Sequence, residues 1–260
     1  MSHARTKPVS AVSACDGLSI IVTGASRGIG RVVAEGLAAA GANVTLAARS
    51  QDALREVAGG IAASGGSAEV AVADLTGPEA ARDAVAQAVD RFGALDGAFV
   101  NAGVSVDVPA FDISEEDWRH VLDVNLSGAF FTAQAAGRAM RGRGGSIVFT
   151  SSTFAHVAFP LRSAYAVSKA GVAHLARQLA LEWAPERIRV NAVGPTATLT
   201  DLNRERLSQP AIRDAIVAKI PLGRLLEPAD LIGAVGFLLG AESAMVTGQS
   251  LLVDGGFTIQ

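Results

Sequence analysis

The chain has 260 residues, 50% of them hydrophobic and 18% charged, with a net charge of −3 at pH 7 and a mean hydropathy of +0.34. That balance suits a globular protein with a large core and argues against nucleic acid or an anionic membrane as a partner. Cys15 is the single cysteine, so an intramolecular disulfide and a cysteine-rich metal site are excluded, and the four scattered histidines form no ligand pair.

No apolar run approaches the ~18 residues of a membrane-spanning helix. Residues 1–16 mix Ser, Ala, Lys and Pro without an apolar core; they are expected to form a flexible extension and not a signal peptide. The expected location is the cytoplasm. Leu18–Thr23 reads as a buried strand, followed by a small-residue helix over Ile29–Ala40 that Gly41 ends. Asn43–Ala48 is a second strand with a helix over Asp52–Ala63, and Ala68–Ala73 a third with a helix over Glu79–Phe92. Leu95–Val100 makes a fourth strand. Ser114 then caps one long amphipathic helix to about Met140, with Glu115 and Glu116 in its first turn.

Gly145–Thr150 is the fifth strand, Ser163–Trp183 a helix and Arg187–Val193 a sixth strand. A polar, helical excursion covers Thr200–Ile220, another helix covers Pro228–Leu239, and Gln249–Asp254 is the last short strand. Strands alternating with helices of this length predict βαβ units and a parallel sheet. The expected architecture is a single-domain α/β fold over residues 17–260: a Rossmann-type, doubly wound sheet of about seven parallel strands with helices on both faces.

The first strand runs into T-G-A-S-R-G-I-G, Thr23 to Gly30, and then into a helix. In that context Gly24 permits a tight turn, Gly28 lets the backbone approach a pyrophosphate, and Gly30 lets helix and strand pack closely. Ser26 and Ile29 lie in the same loop. A ribose-binding acid is expected about 20 residues further on, but Ala48 stands there. Arg49 and Ser50 follow it, and Arg27 lies inside the glycine loop. Two guanidiniums without a carboxylate suit a 2′-phosphate, so NADP(H) is expected in preference to NAD(H).

Tyr165 and Lys169, in Y-A-V-S-K, fall one helical turn apart on one face. A free tyrosine titrates near ~10; a fixed cation within about 4–6 Å lowers such a group by roughly 1–3 units. The pair can therefore form a proton-transfer site, although an ordinary amphipathic helix would also carry one Tyr and one solvated Lys. Ser151 and Ser152 end the fifth strand thirteen residues upstream of Tyr165.

With the glycine loop, N-A-G at Asn101–Gly103, Ser152 and Y-x-x-x-K together, the chain resembles the short-chain dehydrogenase/reductases from Leu18 to Phe257. A-D-L at Ala73–Leu75, N-L-S-G at Asn125–Gly128, the N-x-x-x-P of Asn191 and Pro195, P-L-G-R at Pro221–Arg224, T-G-Q at Thr247–Gln249 and V-D-G-G at Val253–Gly256 match in order. The resemblance implies that Tyr165 is the general acid/base for a carbonyl–alcohol interconversion with direct hydride transfer. It implies that Lys169 lowers the phenol and holds the nicotinamide ribose, that Ser152 binds the substrate oxygen, and that Asn125, within a kink of the long helix, holds a water linking Lys169 to solvent. Asp74, Leu75, Asn101, Ala102, Gly103, Pro195, Thr198 and Thr200 are implied cofactor contacts, alongside the glycine loop. A homotetramer is implied, with the helices around 114–140 and 163–183 at its interfaces.

Three positions depart from the family pattern: Val100 before N-A-G, Ala155 after Ser152, and Thr196 where Gly is usual after Pro195. A threonine resists positive φ, so the turn at Thr196 is expected to differ. Phe154, His156, Phe159, Val104–Val106, Leu199 and Leu202 are expected around the substrate, with His156 a candidate for a substrate hydroxyl and Thr153 and Ser105 as further polar contacts. The substrate class stays open between a sugar acid, a polyol, a 3-oxoacyl compound and a hydrophobic ketone. A non-catalytic NADP-binding module would lack Ser, Tyr or Lys, and all three are present. The enoyl reductase branch resembles Y-x6-K, not the spacing here.

Overall fold

A computed structural model of the chain describes residues 15–200 and 207–259. Its strands are β1 (Ser19–Thr23), β2 (Asn43–Ala48), β3 (Ser67–Val72), β4 (Gly97–Val100), β5 (Gly145–Thr150), β6 (Ile188–Pro195) and β7 (Ser250–Val253). They form one sheet in the order β3-β2-β1-β4-β5-β6-β7, with every neighbouring pair parallel. The helices are α1 (Gly28–Ala39), α2 (Gln51–Ala63), α3 (Pro78–Phe92), α4 (Glu115–Leu122), α5 (Gly128–Met140), α6 (Ser163–Trp183), α7 (Pro210–Val217) and α8 (Asp230–Leu239).

Successive strand residues point to opposite faces, and both faces are covered, which is why the strands read as continuous apolar runs. Ile21, Ile147 and Phe149 face one core, filled by Ala84 of α3, Ala133 and Met140 of α5, and Val172 and Leu179 of α6. Ile20, Val22, Phe99 and Val148 face the other, filled by Leu37 of α1, Leu54 and Ile61 of α2, and Leu231 and Leu238 of α8. Each fully buried side chain of this size contributes about 1.5–3 kcal/mol. Cys15 belongs to the second core, its thiol 3.7 Å from the Gly236 carbonyl, so packing begins before the expected residue 17.

Several boundaries differ from the sequence reading. Strand β4 starts at Gly97 because Asp96 is drawn aside, its carboxylate accepting from the Ser19 N–H at 2.9 Å. Strand β6 starts at Ile188 because Arg187 takes φ +60. Ser114 does cap its helix, accepting from the Asp117 N–H at 3.0 Å. The expected single helix to Met140 is interrupted by a π-helical segment, Asp123–Ser127. Of the excursion over Thr200–Ile220, α7 and Leu207 are described; Leu202 lies outside the described residues. Among the described residues no helix is long and apolar enough to cross a membrane.

From β1 the chain winds outward through β2 and β3, then returns to place β4 on the other side of β1. The crevice at the carboxyl ends of β1 and β4 is the switch point where doubly wound sheets bind ligands.

Candidate active site

A cleft of about 540 Å³ opens at that switch point, walled by the loop Gly24–Ile29, by Arg49 and Ser50, by Asp74 and Leu75, by Asn101–Gly103, and by Tyr165, Lys169 and Thr200. The loop is shaped by its glycines. Gly24 and Gly28 take φ +66 and +56, conformations open to glycine. A Cβ on Gly30 would lie 2.3 Å from the Gly24 carbonyl oxygen and 2.7 Å from Asn101 Nδ2. The first turn of α1 has neither a side-chain cap nor an acid, so its N–H groups and the positive helix end remain for an anion. These features fit a dinucleotide pyrophosphate.

Past β2, Ala48 lines the cleft without a carboxylate, and Arg27 and Arg49 are exposed. Neither guanidinium makes an ion pair among the described residues. Asp74 folds back on the Thr76 N–H at 3.2 Å. Asn101 ties three strands together: its N–H donates to Thr23 Oγ1 at 2.8 Å, its Nδ2 to the Thr23 carbonyl at 3.1 Å, and its Oδ1 accepts from Thr150 at 3.1 Å.

Strand β5 and helix α6 supply the reactive side chains. Ser152 is buried at the end of β5, its Oγ accepting from the Phe154 N–H at 3.2 Å. Lys169 donates from Nζ to the Thr150 carbonyl at 2.7 Å and lies 5.8 Å from the centroid of the Tyr165 ring. Burial pulls the Lys169 ammonium down to about 8. The Tyr165 phenol is pushed up by burial, against which a hydrogen bond with Ser152 and the Arg162 charge pull it down. This corrects the expected net lowering: the buried phenol stays above its ordinary value. Arg162 was not foreseen, and no local signal in the sequence marks it beyond its place one turn before Tyr165.

Asn125 sits in the π-helical segment and is almost wholly buried. Its Oδ1 accepts from the Val104 N–H at 2.8 Å, while Nδ2 donates to the Val104 carbonyl at 2.9 Å and to Ser168 Oγ at 3.0 Å. Ser168 donates in turn to the Tyr165 carbonyl at 2.7 Å. The amide thus clasps the N-A-G loop to α6. A Cβ on Gly103 would stand 3.2 Å from Asn125 Oδ1 and 3.4 Å from Lys169 Nζ.

Other expected contacts lie elsewhere. His156 pairs through Nε2 with Ser250 Oγ of β7 at 3.2 Å. The Thr198 hydroxyl donates to the Thr196 carbonyl at 2.8 Å, and Pro195 ends β6. Thr196 avoids positive φ, the two non-glycine residues found there being Leu161 and Arg187; its N–H reaches the Val253 carbonyl at 3.4 Å. Phe154 stacks on Phe159 with centroids 5.0 Å apart and meets Tyr165 edge-on at 6.4 Å.

A cleft shaped for a dinucleotide beside a half-buried tyrosine and a buried serine and lysine places the protein among the nicotinamide-dependent oxidoreductases. Sequence and structure comparisons narrow the class. A family model described as enoyl-(acyl carrier protein) reductase matches residues 24–258. The chain is 41% identical to an L-rhamnose 1-dehydrogenase (NAD(P)(+)) of Azotobacter vinelandii, over 93% of this chain and 96% of that protein. It is 37% identical to a D-threitol dehydrogenase of Mycolicibacterium smegmatis, covering 94% of each. Among solved structures, a gluconate 5-dehydrogenase from Burkholderia cenocepacia in complex with NADP and tartrate superposes with a TM-score of 0.92 at 34% identity, over 95% of this chain and 98% of that one. The chain belongs to the short-chain dehydrogenase/reductase family.

Proposed function

We propose that the protein is an NADP(H)-preferring dehydrogenase that interconverts a secondary alcohol and a ketone on a polyhydroxylated substrate of the sugar, sugar-acid or polyol class. Tyr165 and Lys169 line one end of the cleft, and Ser152 reaches Tyr165 through a side-chain hydrogen bond; this grouping carries the reading. The names of the relatives just described support the substrate class. Three residues, not six, separate Tyr165 from Lys169, which favours a dehydrogenase over an enoyl reductase.

A nicotinamide bound in the cleft supplies or accepts the hydride. In oxidation, Tyr165 Oη takes the proton of the substrate hydroxyl; in reduction it returns that proton to the carbonyl oxygen. Ser152 Oγ donates to the same oxygen and stabilises its developing negative charge. Lys169 holds a positive charge beneath the phenol and is placed to reach ribose hydroxyls. Asn125 acts by fixing the loop and helix between which Lys169 sits; its side-chain amide is already engaged, so any relay to Lys169 would run through its main chain. Arg27, Arg49 and Ser50 are placed for a 2′-phosphate, with Ala48 presenting no carboxylate to repel it.

The test is an oxidation assay on L-rhamnose, gluconate and threitol with NADP+ and NAD+. Activity on at least one of them is expected, with a lower KM for NADP+, a rise in that KM in Arg49→Ala, and a loss in Tyr165→Phe of about 10²–10⁴ in kcat/KM. A wild-type preference for NAD+ would overturn the cofactor assignment. Undiminished turnover by Tyr165→Phe would overturn the catalytic one.

A further inference from the structure

Arg162 joins three segments that meet around Tyr165. Its Nη1 donates to Ser105 Oγ at 2.6 Å and forms an ion pair with Asp107, both on the loop after β4. Its guanidinium carbon lies 6.0 Å from the centroid of Phe154, from the loop after β5. It immediately precedes α6, one turn before Tyr165, whose ring Phe154 meets edge-on. The side chain is 13% exposed, and the preceding Leu161 is held at φ +64. A left-handed conformation is unfavourable for leucine, so the surrounding contacts hold this turn in place.

We propose that Arg162 is a positioning residue for the reaction: anchored by Asp107 and Ser105, it fixes the loop wall against Tyr165 and presents a permanent positive charge that favours the phenolate. A guanidinium keeps its charge throughout the working pH range. The field at the phenol is graded by the anchor, because Asp107 opposes it. This reading makes Arg162 and Asp107 an antagonistic pair acting through one atom, Tyr165 Oη.

Lys169 aside, the other charges near the helix among the described residues are paired elsewhere or exposed. On α6 the neighbouring titratable group is Lys169, engaged with the Thr150 carbonyl, and further along His174 is exposed. The loop after β5 brings His156, turned to Ser250, and Lys219 stacks on Phe159 at 5.5 Å. On α4, Glu115 pairs with Arg119 and Asp117 with Ser114, and Glu116 and His120 are exposed. Asp123 of the π-helical segment is also exposed. Arg189, on β6, is taken up by the carbonyls of Leu238 and Gly240. Among the described residues, Arg162 adds to Lys169 a charge one turn before the phenol that favours its ionised form.

Tyr165 is the only tyrosine in the chain, so its ionisation can be read directly, without substrate or cofactor, from the tyrosinate absorbance or the resonance of a Cζ-labelled tyrosine. Failure here is therefore separable from failure of the proposed activity. Arg162→Gln is expected to raise the midpoint by about one pH unit, and Arg162→Lys to keep it near the wild-type value. Asp107→Asn, which changes little volume, is expected to lower it. A purely structural clasp would move both variants in the same direction or neither. Either of those results, or an unmoved midpoint in Asp107→Asn should Arg162→Gln fail to fold, would overturn the proposal.

Discussion

Lys169 keeps 3% of its surface exposed, and among the described residues its ammonium meets the Thr150 carbonyl but forms no ion pair with a carboxylate. Its value falls from 10.5 in the unfolded chain to about 8 in the folded one; at 1.36 kcal/mol per unit that is a burden of about 3 kcal/mol on the fold. A depressed lysine binds fewer protons when folded, so the burden is complete below pH 8 and is relieved as pH rises from 8 to 10.5. Tyr165 acts in the opposite sense: its raised phenol contributes stability that is lost as pH climbs beyond 10. Lys169→Met should then abolish activity while raising stability at pH 7 by about 2 kcal/mol, after a loss of about 1 kcal/mol for the deserted carbonyl. Urea denaturation reads the change, and a less stable variant would contradict it. Tyr165 and Lys169 were legible in the sequence because their partnership is local, i to i+4. Arg162 was not, because Ser105 stands 57 residues away and no spacing rule connects them.

The strands were legible because a sheet buried on both sides demands unbroken apolar runs, and Ile20, Ile21 and Val22 supply one. Their ends were less so: Asp96 and Arg187 look like continuations of a strand until a side-chain bond or a positive φ removes them. The family resemblance implied a kink at Asn125, but the residue pattern hid the π-helical segment for another reason. Its insertion into the helix uses D-V-N-L-S, without proline or glycine, and the apolar spacing runs on through it. Such bulges are frequent at functional sites, and here the extra turn width delivers a buried amide to the N-A-G loop. Asn125→Ala would leave Val104 and Ser168 without three hydrogen bonds. The expected destabilisation is about 2–4 kcal/mol, accompanied by faster amide exchange at Val104 and Ser105. Stability unchanged to within about 0.5 kcal/mol would show that the clasp does not hold the wall.

At the scale of the whole molecule, two of the apolar patches left exposed among the described residues lie on different elements. One runs along α6 through Val167 and Leu181, the latter 75% exposed. The other gathers at the edge strand β7, which pairs on one side only: Leu251 on the strand, Ile259 just beyond it, and Leu222, whose N–H bonds Gly255 at 3.1 Å. An unprotected edge with apolar neighbours invites pairing with another copy. Two separate self-complementary patches suit a tetramer with two kinds of two-fold interface, where a single patch would stop at a dimer. The proposed homotetramer therefore carries a specific expectation. Leu181→Glu should leave dimers held through β7, and Leu251→Lys combined with Ile259→Lys should leave dimers held through α6. The assembly mass of all four proteins is read by light scattering on the eluting protein: tetramer for wild type, dimer for each variant, monomer for the combination. A monomeric wild type, or a tetramer that survives either variant, would remove the corresponding interface and with it the need for the exposed leucines on that face.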